Sequence, residues 1–289
     1  MLLIIVCGVL LAAGIAVSIV WGGERLIEPD TRSKVQSEMT EADPSRVRRH
    51  VDGLRLYTWC VSLFMLVGTA SGLLVTGAGG RLAMRLLAAT SPDATGRFTE
   101  AQANVGEITF EGTIAYLLFG GLPFAFASTA LYLLVAPWLP RGRLAGPTFG
   151  LTAFIMVAPF IDPLRPDNVD FDIVGPGWLS VLVFAALAVV QGAFLAAFAG
   201  RLSRSLPLMT RRNWSETVMP LLLAVVLFPL GAILAVGALI TFAIPRLLPW
   251  FLAVRASRAG VITGRVLLAV AVLAALPAFI ASVVSIWGR

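Results

Sequence analysis

The chain has 289 residues, of which 58% are hydrophobic and only 13% are charged, and its mean hydropathy is +0.89. So few charges cannot cover the surface of a water-soluble domain, so this composition excludes that class and predicts a bundle covered by lipid. The net charge of +6 is modest and spread over several loops. It therefore reports on membrane orientation, and we do not expect a nucleic-acid partner.

The predicted fold is all-α, a polytopic transmembrane helical bundle with about seven spans. Residues 1–21 predict the first transmembrane helix, because about 20 uncharged residues are enough to cross the hydrocarbon core. A cleaved signal peptide would need a basic n-region and a small-residue cleavage site, and neither is evident. We therefore expect a retained helix.

Residues 22–56 form a long polar segment with seven basic and seven acidic residues. It has few large apolar side chains and cannot bury a core, so we interpret it as a polar cytoplasmic loop with some helix.

Residues 57–289 predict a six-span membrane bundle with an acidic external loop at 162–177. The expected spans are 57–76, 113–137, 144–161, 178–200, 217–244 and 266–287. The span at 217–244 contains Pro220 and Pro229 and is followed by Pro245, so it is either one kinked span or two short helices. The glycines of GAGG (Gly77–Gly80) are interpreted as ending the second span.

Tryptophan and arginine give the expected orientation. All seven tryptophans fall at or near a predicted span end, as residues that prefer the membrane interface should. With the N-terminus external, 14 of the 22 basic residues, including Arg289, lie inside and 8 outside. The segment 246–265 does not fit the positive-inside rule, because seven spans put its four arginines outside. If the sixth span were a hairpin of two short helices, these arginines would lie inside and the C-terminus outside. We expect a bacterial plasma membrane location.

The stretch IDPLRPDNVDFDIVGPGW (161–178) carries four of the 16 acidic residues. One interpretation is a solvated loop. The sharper hypothesis is an external cap in which these aspartates pair with arginines. At least one of Arg81, Arg85 and Arg165 should lie within ion-pair distance of an aspartate, with Asp162 the best candidate for a tight partner. The candidate cap residues are Arg81, Arg85, Glu107, Asp162, Arg165, Asp167, Asp170 and Asp172.

Three functions stay open. The first is a non-enzymatic membrane protein whose cap organises the bundle or meets a partner. The second is a transporter or small-molecule binder with a cavity near Gln191, the one strongly polar residue in the predicted span cores. The third is a metal-dependent lipid-modifying enzyme that uses the aspartates at 162–172.

No catalytic residue, metal site or cofactor is predicted. His50 is the only histidine, which argues against a catalytic triad and excludes a bis-histidine haem, and Cys7 and Cys60 form no CxxC. The expected partners are membrane lipids, with a membrane-protein partner or a homo-oligomer as a further option.

Two motifs carry a resemblance. DNVDF and GPGWL (Asp167–Phe171 and Gly175–Leu179), with VGEITFEGT (Val105–Thr113) upstream, resemble a group of uncharacterised multi-pass membrane proteins of high-GC Gram-positive bacteria. The resemblance covers residues 81–201 and implies a membrane location but no activity.

Overall fold

A computed structural model describes residues 1–27, 29, 46–100, 104–107, 109–161, 163–209 and 214–289. The structure is all-helical, with 80% helix. Across these ranges it contains no strand, and Phe98 and Asn104 form an isolated bridge. The all-α prediction is confirmed.

Twelve α-helices occur in the described residues. They are α1 (Leu2–Val20), α2 (Arg46–Ser71), α3 (Ala78–Ala89), α4 (Phe110–Tyr116), α5 (Leu122–Val135), α6 (Ala145–Val157), α7 (Gly177–Ser205), α8 (Trp214–Val218), α9 (Leu222–Val226), α10 (Phe228–Ala243), α11 (Leu247–Ala256) and α12 (Arg258–Trp287). Two π-helical segments, Gly72–Gly77 and Leu117–Gly121, join α2 to α3 and α4 to α5 into two long rods.

Five helices in the described ranges are long and apolar enough to cross a membrane, or six if the bent pair α10–α11 is one span. The five are Leu2–Val20, Arg49–Ala89, Phe110–Trp138, Gly177–Ser205 and Arg258–Trp287. The expected count of about seven is not confirmed. The predicted span at 144–161 contains α6, which has only 13 residues.

Helix α6 packs along α7 through glycines. A methyl group added to Gly146 would lie 2.6 Å from both the Gly192 carbonyl oxygen and the Ala193 Cα. One turn later, Gly150 abuts the Ala188 carbonyl in the same way. Small residues therefore let the two backbones touch, as is common between helices in lipid.

The GAGG interpretation is wrong, because these glycines lie inside the rod Arg49–Ala89 and do not end it. A side chain on Gly79 would overlap Leu187, and one on Gly80 would overlap the Tyr116 ring. Because these glycines have no side chain, the neighbouring helices can pack closely against them. They do not mark a turn of the chain.

The bundle has two distinct ends, which we call the acidic end (residues 163–177) and the basic end (Arg141, Arg143, Arg201 and Arg204). Helix α7 runs from the acidic to the basic end, and the rod 49–89 runs the opposite way. At the basic end Trp59 Nε1 donates to the Leu206 carbonyl at 3.1 Å. At the acidic end Thr90 Oγ1 donates to the Gly175 carbonyl at 2.7 Å.

The segment 214–256 folds back on itself. Gly231 contacts Ala224, although seven residues of straight helix would hold them about 10 Å apart. Helix α10 then returns along α2, where Tyr57 donates to the Leu234 carbonyl at 2.5 Å and His50 packs on Phe242. Helix α11 is bent by 98° from α10.

Arg255 anchors the end of this segment at the basic end. Its side chain is 7% exposed and donates to the carbonyls of Leu133 and Leu134 at the end of α5. Trp138 Nε1 in turn donates to the Arg255 carbonyl at 3.3 Å. A positively charged guanidinium that donates to carbonyls at the C-terminal end of a helix also interacts favourably with the negative end of the helix dipole. The four arginines at 246–265 therefore belong to a segment attached at the basic end, and the expectation that placed them with the acidic loop is wrong.

Candidate functional site

The acidic loop is fastened to the end of α3 by backbone contacts at Gly175. Its carbonyl accepts hydrogen bonds from Thr90 Oγ1 and Ser91 Oγ, both at 2.7 Å, and its N–H donates to Ser91 Oγ at 2.8 Å. Two residues on, the Gly177 N–H donates to the Arg289 carbonyl at 3.1 Å. We call the residues 90–100, 104–107, 109, 163–177 and Arg289 the cap, because they close the acidic end over the helices.

Arg165 joins the two cap loops. Its Nε lies 2.9 Å from Asp167 Oδ1, and its Nη2 lies 2.5 Å from Glu100 Oε2 in the other loop. Asp170 strengthens the same junction, because its Oδ1 accepts from the Glu100 N–H at 2.7 Å. The expectation that an arginine would pair with a loop aspartate is met by Arg165 and Asp167.

Arg289 makes the second connection. Its guanidinium lies 3.1 Å from Asp172 Oδ1 and donates to the Pro166 carbonyl at 2.9 Å. The basic-residue count for seven spans had put Arg289 with the basic end, whereas the hairpin alternative put the C-terminus with the acidic loop, and the structure agrees with the alternative. The reason is that α12 starts beside Trp138 at the basic end and finishes against Gly177.

Arg81 and Arg85 contact a different partner from the one expected. Arg81 Nη2 donates to Thr113 Oγ1 at 3.0 Å, and its guanidinium lies 5.7 Å from the Tyr116 ring centre. Arg85 donates to the Gly106 carbonyl at 3.1 Å. Within the described ranges, neither arginine forms an ion pair. They tie α3 to the stretch 105–113 and not to the aspartates.

The remaining candidates are Glu107 and Asp162. Glu107 is exposed, and its N–H donates to the Asn104 carbonyl at 3.3 Å. Asp162 lies outside the described residues, so its expected tight ion pair stays a prediction.

The motifs behind the resemblance make many of these cap contacts. Asn168 is 6% exposed and its Oδ1 accepts from the Asp170 N–H at 2.8 Å, while Phe171 packs with Phe154 and Val181. Upstream, Thr109 caps α4 by accepting from the Gly112 N–H at 3.1 Å. Both motifs therefore occupy structural positions in the cap.

The three described aspartates have separate partners. Asp167 pairs with Arg165, Asp170 with the Glu100 N–H, and Asp172 with Arg289. In the part of the chain that the structure describes, no group of three or more His, Cys, Asp or Glu side chains is placed to hold a metal ion. The side chains of Asp167 and Asp172 are 78% and 63% exposed, so each ion pair is worth at most about 1 kcal/mol.

Gln191 is packed inside the bundle. It is 3% exposed, and its Nε2 donates to Ser128 Oγ on α5 at 3.0 Å. Its Oε1 is buried without a hydrogen-bond partner among the described residues. An unpaired buried amide oxygen is costly, so this position is a candidate contact for a polar ligand or water.

The pairing of the two π-helical segments was not predicted from the sequence. Thr76 Oγ1 in the first donates to the carbonyl of Gly121 in the second at 2.9 Å, and Tyr116 donates to the Thr76 carbonyl at 3.2 Å. Gly77 and Gly121 lie in direct backbone contact. π-Helical turns are rare and are frequent at functional sites. The glycines at 72, 77, 120 and 121 were the available signal, although glycine alone does not distinguish packing from a widened turn.

Comparison with known proteins adds no relative: no family model, no curated protein and no solved structure matches the chain.

Proposed function

We propose that the chain is a non-enzymatic integral protein of a bacterial plasma membrane whose cap holds the acidic ends of the helices together or meets a partner. The observation that carries the proposal is the fastening of the loop at Gly175 to Thr90 and Ser91, together with the Arg289–Asp172 pair. These contacts join α3, α7 and α12, which are remote in sequence. Hydrogen bonds of this kind each contribute about 1 kcal/mol.

The topology proposed with it has six crossings and one re-entrant segment. The crossings are α1, the rod 49–89, the rod 110–138, the stretch 142–161, α7 and α12, and the segment 214–256 enters and leaves at the basic end. The stretch 142–161 is counted because it joins Arg143 at the basic end to the acidic loop, although its helix α6 has only 13 residues. Five of the 22 basic residues, Arg81, Arg85, Arg97, Arg165 and Arg289, then belong to the acidic end, and seventeen to the basic end. Seven spans would divide the basic residues 14 to 8 between the two sides, so this arrangement separates them more strongly. By the positive-inside rule it favours a cytoplasmic basic end, with Met1 and Arg289 both external.

The second candidate is a transporter or small-molecule binder. It is favoured by the unpaired Gln191 Oε1 and by the two π-helical segments, because both are found where helices bind ligands or move. The cap is compatible with this role, and the resemblance to uncharacterised multi-pass proteins does not choose between the two.

Photocrosslinking in native membranes tests the partner role. A photoreactive residue at Val169, which is 49% exposed in the cap, should give a discrete protein adduct, either with another protein or with a second copy. The same group at Met84, which is 45% exposed on the side of α3, is the matched control and should label mostly lipid. Equal labelling from both positions, or lipid adducts alone from Val169, would remove the partner role.

Stability measurements test the organising role. The triple variant Thr90→Val/Ser91→Ala/Arg289→Gln should lower the unfolding temperature in detergent by several degrees, because it removes the side-chain hydrogen bonds to Gly175 and the Asp172 pair. Arg97→Gln alters an exposed cap arginine and should leave the temperature unchanged. An unchanged triple variant would contradict the organising role.

A further inference from the structure

A groove lies between α1, α7 and the turn that precedes α6. Its volume is about 310 Å³. The side walls are apolar, with Ile15 and Ile19 from α1 facing Val190 and Ala193 from α7. Ile15 and Ile19 are 37% and 64% exposed on the outer surface of the bundle. The groove is therefore open to the bilayer along its length.

One end of the groove is polar and cationic. It is closed by Gly22, Gly23, Gly142 and Arg143. Gly23 and Gly142 have φ values of +93° and +82°, a conformation that favours glycine and keeps the backbone free of side chains there. A methyl on Gly23 would lie 3.2 Å from Arg143 Cγ, so the arginine stem packs directly over this backbone.

The cationic end lies at the depth of the membrane interface. Trp21, which ends α1, stacks on Phe198 with ring centres 5.9 Å apart, and the Arg201 guanidinium lies 5.8 Å from the Trp21 ring. Tryptophan with arginine at a helix end is typical of the headgroup region. The groove thus runs from headgroup depth toward the bilayer centre.

Glu24, the acidic residue next to this end of the groove, does not neutralise the charge of Arg143. Glu24 lies 3.7 Å from both Arg201 and Arg204. Among the described residues, Arg143 has no ion-pair partner. The groove therefore combines an apolar channel with a guanidinium that has no ion-pair partner in the described part of the chain, at the height of a lipid phosphate.

We propose that this groove binds an anionic phospholipid, with the phosphate on Arg143 and one acyl chain along Ile15, Ile19, Val190 and Ala193. Charge complementarity selects this occupant over an apolar helix, which would leave Arg143 without an anion. Basic pockets between transmembrane helices are known binding places for anionic headgroups. The inference requires the helices to be embedded in a membrane but does not depend on the function proposed for the cap.

The test measures lipid binding to the purified full chain in detergent. Native mass spectrometry would titrate dioleoyl-phosphatidylglycerol and dioleoyl-phosphatidylcholine, which have the same acyl chains. Arg143→Gln should weaken phosphatidylglycerol binding about fivefold, the effect expected for one arginine near an anionic headgroup. It should weaken phosphatidylcholine binding by a smaller factor, because the choline cation offsets the charge of that lipid's phosphate. Arg141→Gln, which removes an arginine two residues away that does not line the groove, should change neither. Equal effects of the two substitutions would indicate general surface attraction and overturn the proposal.

A groove-filling variant and photolabelling of the lipid site test the same groove without changing its charge. Ile15→Trp fills the groove from the lipid-facing side and should weaken binding of both lipids. Phosphatidylglycerol with a photoreactive acyl chain should label α1 near Ile19 and α7 near Val190 in the unaltered protein. Labelling spread evenly over the lipid-facing helices, or unaffected by Ile15→Trp, would show that no specific groove site exists.

Discussion

The contact between α6 and α7 makes Gly146→Ala a demanding test of the fold. The new methyl group would lie 2.6 Å from the Gly192 carbonyl oxygen and 2.6 Å from the Ala193 Cα. An ordinary contact needs about 3.4 Å, so the overlap is about 0.8 Å. Both opposing atoms belong to the backbone of α7. Neither can rotate away, so the two helices must separate.

Separating the two helices lowers the free energy of unfolding. Overpacking a tight interface costs about 1–3 kcal/mol, and rigid backbone on both sides puts this case near the upper value. Replacing glycine by alanine inside a helix returns up to about 1 kcal/mol. We expect a net destabilisation of about 2 kcal/mol, or a fall in the unfolding temperature of about 6 °C.

Thermal unfolding in detergent, followed by tryptophan fluorescence, measures this change. Gly8→Ala is the matched control, because Gly8 is also helical but has no heavy atom within 4 Å of the added methyl. It should leave the unfolding temperature unchanged or raise it slightly. If Gly146→Ala behaved like Gly8→Ala, the backbones of α6 and α7 would not be in contact, and the packing described above would be wrong.

Three further outcomes are expected. Topology reporters fused after Lys34, after Arg211 and after Arg258 should all read cytoplasmic in the six-crossing arrangement; an external reading at Arg258 would restore the seven-span prediction. Asp172→Asn should lower the free energy of unfolding by at most about 1 kcal/mol, because that carboxylate is 63% exposed, and a larger loss in chemical denaturation would show a stronger role for the Arg289 pair. Residues 46–56 belong to α2 and should exchange slowly, whereas the rest of the polar segment 22–56 should exchange amide hydrogens quickly, since its sequence offers little apolar surface to bury. Slow exchange across the whole segment would indicate a folded module instead.

The helical fold was predictable because lipid imposes a simple rule on sequence. A spanning segment must satisfy its own backbone hydrogen bonds and present apolar side chains, so long uncharged runs predict helices directly. Helix α7 illustrates this, since the predicted span 178–200 lies within Gly177–Ser205. The close contact between α6 and α7 at Gly146 and Gly150 follows the same lipid environment, because small residues let helices approach closely there.

The errors come from features that depend on three-dimensional contacts. GAGG predicted a helix end because glycine commonly ends helices, and only the proximity of Tyr116 and Leu187 shows that it serves packing. Arg289 follows the last span, and its place at the acidic end depends on the fold-back of 214–256, which hydropathy cannot distinguish from a crossing. At least one of three arginines was expected to pair with a loop aspartate, and Arg165 does so with Asp167, because the two residues lie in the same short loop.

The two π-helical segments have a consequence for how the sequence tolerates changes in length. A π turn holds one more residue than an α turn, so deleting a single residue from 72–77 could convert it to α-helix without breaking the rod. The π turn and the shorter α turn cover nearly the same rotation about the rod axis, so the residues beyond the deletion would keep their facing. Arg81 would stay on the side of Thr113, and Gly79 and Gly80 on the side of Leu187 and Tyr116. A deletion in the α-helical part of the rod would instead rotate every later residue by about 100° around the axis. Related sequences should therefore lose single residues inside 72–77 and 117–121 more readily than elsewhere in the two rods.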